Sequence, residues 1–218
     1  MTVVLRWLQR RAERRPDPAL AVLHEELLAG VGGVVVEVGC GRGRLFDRYP
    51  PAVRRLVAIE PDPQSRRAAQ VAASETLIPV EVLDGDAGRL PLSDGTADAV
   101  VLSEVLCSVP DPAVALREVW RVLRPGGELR VFEHVVADHP VGRLGQRLVD
   151  LAGWPRLLGG CHTARDTGAA IESAGFAWQG RRRVWSASTA LTAPAGPHLL
   201  GTARRAPVTA PPSGTVAT

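Results

Sequence analysis

The 218-residue chain contains no lysine; all 26 of its basic side chains are arginine. Together with abundant Ala, Gly and Pro, this bias points to a GC-rich coding genome more than to a functional selection for arginine. The net charge of +3 is small, and the basic runs Arg10–Arg11, Arg14–Arg15 and Arg181–Arg183 are scattered. A nucleic-acid surface needs its basic residues gathered on one face, so no nucleic-acid partner is expected. Cysteine is scarce too. Cys40, Cys107 and Cys161 cannot all pair and show no CxxC spacing, which argues against disulfides and structural zinc. No apolar run approaches the ~20 residues of a membrane span, so no integral membrane segment is expected. The start, MTVVLRWLQRRAERRP, has no continuous apolar core and no small-residue cleavage site. It reads as an amphipathic helix that caps the domain or covers its ligand, ahead of a membrane-surface anchor, and the setting expected for the chain is cytoplasmic and reducing.

What is present is alternation. With 45% hydrophobic and 22% charged residues the composition is globular. From residue 33, short β-branched runs alternate with helical stretches, the pattern of βαβ units around a parallel sheet. Strands are predicted at 33–39, 55–62, 78–87 (with its exit loop), 97–106 and 127–135. Helices are predicted from about Leu45, over 64–74 and over 112–127, with Pro112 in the first turn and PGG at the end. Residues 142–160 read as broken helix. Residues 164–176 read as a helix capped by Asp166 or Thr167 and ended by Gly175. Two closing strands, 177–188 and 197–206, have no crossover helix between them and should pair antiparallel. The expected fold is α/β, a doubly wound, mostly parallel sheet of about seven strands with an antiparallel C-terminal hairpin. Residues 1–30 form a helical cap, 31–206 the domain, and 207–218 a Pro/Ser/Thr/Gly-rich disordered tail.

The glycine turn after the first strand carries the first functional signal. In an open parallel sheet, ligands sit beyond the carboxyl ends of the strands where strand order reverses. A dinucleotide loop wants GxGxxG; here Gly39-Cys40-Gly41-Arg42-Gly43 is followed by Arg44 where the last glycine would stand. Glu37 through Gly43 instead follows E-x-G-x-G-x-G, the loop that S-adenosylmethionine (SAM) enzymes pack against a methionine moiety. Glu60 closes the second strand 17 residues beyond Gly43, with Pro61 turning the chain so that its carboxylate can take two ribose hydroxyls. Asp86 follows the third strand and suits an adenine amino group, beside the Ala87 amide. SEVLCSV (103–109) follows the fourth and would pass under the methionyl end. Each element is weak alone; their order on four successive strands makes the signal.

On VVVEVGCGRG, VAIEPDP, DGDAGRLPLSDGTADAVVLSEVL and EVWRVLRPGGEL, residues 33–135, the chain resembles the class I SAM-dependent methyltransferases. The resemblance implies a Rossmann-like seven-stranded fold, SAM as methyl donor and S-adenosylhomocysteine (SAH) as product. It carries cofactor contacts onto Glu37, Gly39, Cys40, Gly41, Gly43, Glu60, Pro61, Asp62, Asp86, Ala87, Ser103 and Glu104. LCSVPDP, RVLRPGGELRVFEHV, GGCHTARDT and GPHLLG extend the similarity to the methyltransferase-like thiol S-methyltransferases and their bacterial relatives, over residues 25–206. Membrane-bound members carry an amino-terminal hydrophobic anchor of a length not found here. The implied partner is a small, fairly apolar methyl acceptor, with a thiol ahead of O-, N- or C-acceptors, on a monomer or homodimer. A non-catalytic SAM-binding partner subunit is a further reading. An NAD(P)-linked oxidoreductase is the other alternative, but one tyrosine and no lysine leave it without a Tyr-x-x-x-Lys pair.

A thiol has a free pKa near 8.5 and needs only modest help to ionise. His134, following the fifth strand at the carboxyl edge, is the candidate general base. Glu133 alternates with it, so only one of the two should face the cleft. Cys107, Trp154, Cys161, His162 and His198 are the candidate acceptor-pocket residues. Cys161 and His162 reach the cleft if the preceding segment folds over it, though two adjacent ligands do not make a zinc site, and no metal is expected. The leucines of 148–158 with Trp154 either roof an apolar acceptor pocket or pack on the sheet.

Overall fold

The first strand is nearly all valine because both of its faces are covered, as central parallel strands are. In the computed structural model, which describes residues 18–186 and 193–205, this is β1 (Gly33–Val38). It pairs in parallel with β2 (Val53–Ile59) on one side and β4 (Ala97–Ser103) on the other. β3 (Val80–Leu83) flanks β2, and β5 (Leu123–His134) flanks β4, both in parallel. β7 (Pro197–Arg205) then inserts antiparallel between β5 and β6 (Phe176–Trp185). The order β3-β2-β1-β4-β5-β7-β6 is the expected seven-stranded sheet with its antiparallel hairpin. Strand order reverses between β1 and β4, which opens a crevice at their carboxyl ends.

Helices cover both faces. α1 (Pro18–Leu28) and α2 (Pro63–Ala73) lie on one, where Leu27, Leu28 and Ala69 join Val35, Leu56 and Phe132. α3 (Pro112–Val122) and, later, α6 (Thr167–Ser173) lie on the other, where Leu116, Val119 and Ile171 meet Val100, Leu102 and Val131. α2, α3 and α6 are capped by Asp62, Asp111 and Asp166, each accepting a first-turn amide. Between β5 and α6 come α4 (Pro140–Leu151) and the short α5 (Trp154–Leu157). None of the described helices is long and apolar enough to cross a membrane. Residues 1–17 of the expected cap and the tail 207–218 lie outside the described residues.

Three expectations need correction. No α-helix follows the glycine turn; only a single 3-10 turn, Phe46–Arg48, forms before Pro50 and Pro51 stop it. α3 ends at Val122 rather than 127, and Leu123 is already extended. Pro125 has no amide to donate and would press on the carbonyl four residues back, so the chain enters β5 early. The α4 leucines neither roof a pocket nor pack on the sheet. Val141, Leu144, Leu148 and Leu151 are all more than half exposed, and the residue that α4 buries is Gln146. Gln146 is inward because its amide satisfies buried backbone: it accepts from the Ala137 amide and donates to the Val135 and Pro194 carbonyls.

Candidate active site

A cavity of about 790 Å³ lies at the switch point, within the ~300–1,000 Å³ usual for small-molecule sites. Its wall takes Gly39 from the end of β1, Glu60 and Pro61 from β2, Asp86 and Ala87 from beyond β3, and Glu104 from beyond β4. Six of the residues assigned to the cofactor from the sequence therefore meet in one place. Val109, Pro110 and Val114 complete an apolar wall that the sequence pattern did not disclose.

Backbone and carboxylate shape the floor together. Glu60 is buried and spans two turns: Oε2 accepts the Gly41 amide at 2.8 Å and Oε1 the Asp62 amide at 2.9 Å. A carboxylate offers about four acceptor positions, so Glu60 retains capacity for ligand hydroxyls. Gly39 sits at φ +68°, and a Cβ there would stand 2.8 Å from Val105 Cγ2, closing the passage between β1 and β4. Asp86 is exposed into the cavity, with Oδ1 taking the Gly88 amide at 2.7 Å. Asp62 caps α2 through the Ser65 amide. These features fit the adenosyl and methionyl parts of SAM: a carboxylate for the ribose, an acceptor for adenine, and a loop of glycines admitting close approach.

Two motif residues face elsewhere. The Glu37 carboxylate is 3% exposed and accepts the Tyr49 hydroxyl at 3.0 Å. Burial raises it to about 8, against the lowering effect of that hydrogen bond. The Cys40 side chain packs with Leu45, Phe46 and Ala58 in the core, and burial with the nearby carboxylates of Glu37 and Glu60 keeps its thiol protonated. Ser103 closes β4, paired with Phe132, and lies outside the cavity wall.

The end of the site where an acceptor is expected borders the loop 104–110, which three long-range partners hold in place. Glu133, fully buried, accepts the amides of Val105, Leu106 and Cys107 at 2.8, 3.0 and 3.3 Å. Burial raises it to about 7 despite those amides and the neighbouring His134. Arg165 donates to the Leu106 and Val109 carbonyls, and the His162 amide to the Cys107 carbonyl. The loop opens with Glu104 at φ +59°, a conformation that disfavours side chains, locked by its amide on the Phe132 carbonyl at 2.7 Å.

Of the alternating pair, Glu133 faces the backbone and His134 faces the candidate pocket residues. His134 Nδ1 lies 3.2 Å from Cys107 Sγ and 3.4 Å from Cys161 Sγ; its Nε2 lies 3.4 Å from Glu104 Oε1. The same Glu104 oxygen is 3.4 Å from His198 Nε2, and the two imidazoles are 4.3 Å apart. Burial works to lower the His134 pKa, but the Cys107 thiol and the Glu104 and Glu133 carboxylates carry it up to about 9. Burial works to raise Glu104, but His198, His134 and His24 hold it at about 2. Hydrogen bonding to Cys161 and burial push the Cys107 thiol up. The residue expected as general base is thus flanked by two thiols at one ring nitrogen and a carboxylate at the other. His162 contributes its backbone, and Trp154 is half-buried on α5 with its indole N–H unpartnered among the described residues.

Comparison with known proteins agrees with this geometry. The sequence profile of the methyltransferase domain matches residues 36–131. Human thiol S-methyltransferase TMT1B is 35% identical over 182 residues, covering 81% of this chain and 73% of its own. Among solved structures, the [4+2]-cyclase SpnF superposes with a TM-score of 0.67 at 22% identity, covering 87% of this chain and 81% of its own. A geranyl diphosphate methyltransferase bound to GPP and sinefungin gives 0.65 at 19%, covering 87% and 78%. The cyclase among these neighbours shows that the fold alone does not define the reaction. The profile, the relatives and the cavity agree: the chain belongs to the class I SAM-dependent methyltransferases, as a relative of the thiol S-methyltransferases.

Proposed function

We propose that this methyltransferase methylates the sulfur of a small, fairly apolar thiol. The observation that carries the choice of sulfur is the 35% identity to thiol S-methyltransferase TMT1B across 73% of that protein. SAM, when bound, supplies an electrophilic methyl group on a sulfonium, so the protein need not create a leaving group. Glu60 holds the ribose, Asp86 and the Ala87 amide the adenine, and Gly39, Gly41 and Gly43 let the backbone close on the methionyl chain. Loop 104–110, clamped by Glu133 and Arg165, fixes where the acceptor meets the methyl donor. His134 and Glu104 border that end, and the apolar wall of Val105, Val109 and Val114 excludes water.

The test is an SAH-release assay over panels of thiols, phenols, amines and indoles. Turnover at least tenfold faster with apolar thiols than with the other classes is expected. Preference for a phenol, amine or carbon acceptor would replace the sulfur assignment. SAH bound without turnover of any class would make the chain a SAM-binding partner subunit.

A further inference from the structure

Glu104, His134 and His198 come from the loop after β4, the end of β5 and the start of β7, 30 and 64 residues apart. Their ligand atoms converge: His134 Nε2 and His198 Nε2 each lie 3.4 Å from Glu104 Oε1, and all three fall within 4.8 Å of one another. Ligands arranged tetrahedrally at ~2.0–2.1 Å from zinc are ~3.3–3.4 Å apart. The spacing thus suits three donors sharing one ion.

Ring orientation gives a second, independent reason. His198 is 1% exposed, stacked on Phe132 at 4.5 Å and 9°, and its Nδ1 lies 2.9 Å from the Gly196 carbonyl. Only an N–H makes that contact favourable, so Nδ1 carries a proton and Nε2 is the ring nitrogen turned toward Glu104. An Nδ1–H held by a backbone carbonyl with Nε2 free is how metal-ligating histidines are oriented. The left-handed backbone of Glu104 is likewise fixed by the Phe132 carbonyl, which anchors the root of its side chain here.

We propose that Glu104, His134 and His198 form a binding site for a divalent transition-metal ion, with zinc the best match to two imidazoles and one carboxylate. Glu104 also lines the cofactor cavity, which puts the ion beside it with a coordination position left over from three protein ligands. If the thiol reading above holds, on which this use of the site rests, the acceptor sulfur takes that position as thiolate and its proton leaves to water.

The full-length protein, stripped with EDTA, is titrated with zinc by calorimetry and with cobalt(II) by absorption, in the presence of SAH. One equivalent is expected, with magnesium unable to compete. Glu104→Gln and His198→Ala should each weaken binding at least tenfold, with a cooperative melt confirming that the variants fold. Glu104 is half exposed, so E104Q removes a ligand without opening the core. The cobalt spectrum should lack sulfur charge transfer until an apolar thiol is added. Absence of stoichiometric binding, binding unchanged by E104Q, or sulfur charge transfer before thiol addition (which would assign the ion to Cys107 and Cys161) overturns the site. SAH release with thiols by a protein that binds no metal removes this site and leaves the thiol reading standing. One bound zinc without thiol turnover supports the site and removes the thiol reading.

Discussion

The Glu60 carboxylate reaches back 19 residues to accept the Gly41 amide at 2.8 Å. This bond ties the end of β2 to the glycine loop after β1, coupling the carboxylate proposed for the ribose to the loop proposed for the methionyl chain. Glu60→Ala should weaken SAH binding by ~1–3 kcal/mol, because it removes a charged acceptor and frees the loop. Isothermal titration measures it; wild-type affinity would mean the carboxylate does not touch the cofactor.

The three loop glycines are not equivalent. At Gly43, φ is +79° and a Cβ would stand 2.7 Å from the Phe46 ring and 3.1 Å from Ala72 Cβ; at Gly41 it would meet nothing within 4 Å. Gly43→Ala should cost ~2–4 kcal/mol through strain plus overpacking, and Gly41→Ala ~1–2 kcal/mol through strain alone. Urea denaturation of both variants checks the order. Equal losses would show that Phe46 yields without cost.

Glu133 satisfies three buried amides at once. Glu133→Ala should destabilise the fold by ~2–5 kcal/mol, since those N–H groups would lose their acceptor away from water. Glu133→Gln, which keeps one carbonyl oxygen, should lose less. The measurement is the denaturation midpoint of each variant. An alanine variant as stable as wild type would mean that Arg165 and the His162 amide suffice to hold the loop.

Glu37 sets a pH dependence with a defined sign. Its folded pKa is about 8, against 4.5 in the open chain, and the group facing it is the Tyr49 hydroxyl, itself shifted upward, with Cys40 nearby. Between pH 4.5 and 8 the folded protein keeps a proton that the unfolded chain releases. This contribution is fully present below pH 4.5 and falls by ~1.4 kcal/mol per unit as pH rises through the folded pKa, levelling off above it. Glu37→Gln keeps an acceptor for Tyr49 and removes the titration. Its stability relative to wild type should therefore rise from pH 5 to pH 9 in denaturant titrations. A difference that does not vary with pH would show that Glu37 is not titrating from a buried neutral state.

Much of the cofactor half was legible in the sequence because its signals are local. A valine run followed by glycines can only be a buried strand handing over to a tight turn, and Glu60-Pro61 marks the end of the next strand by its spacing. Asp111-Pro112 and Asp166 cap helices through bonds to their own first turns. The errors were local rules outvoted: Pro125 took the last turn from α3, and Pro50 and Pro51 took the helix after the glycine loop.

The acceptor half depends on register. β7 enters antiparallel beside β5 so that His198 pairs with His134, and Glu104 meets both from the next loop. Side chains alternate along a strand, so a slip of one residue would send His198 to the opposite face. No spacing within 104, 134 and 198 encodes that pairing. The exposed α4 leucines show the same division, since periodicity defines a face but not what covers it. The sheet, the glycine loop and the carboxylates at its strand ends follow from nearest-neighbour chemistry and can be read along the chain. Which side chains gather around His134 is set by hydrogen-bond register between strands far apart in sequence, so it emerges only in the folded chain.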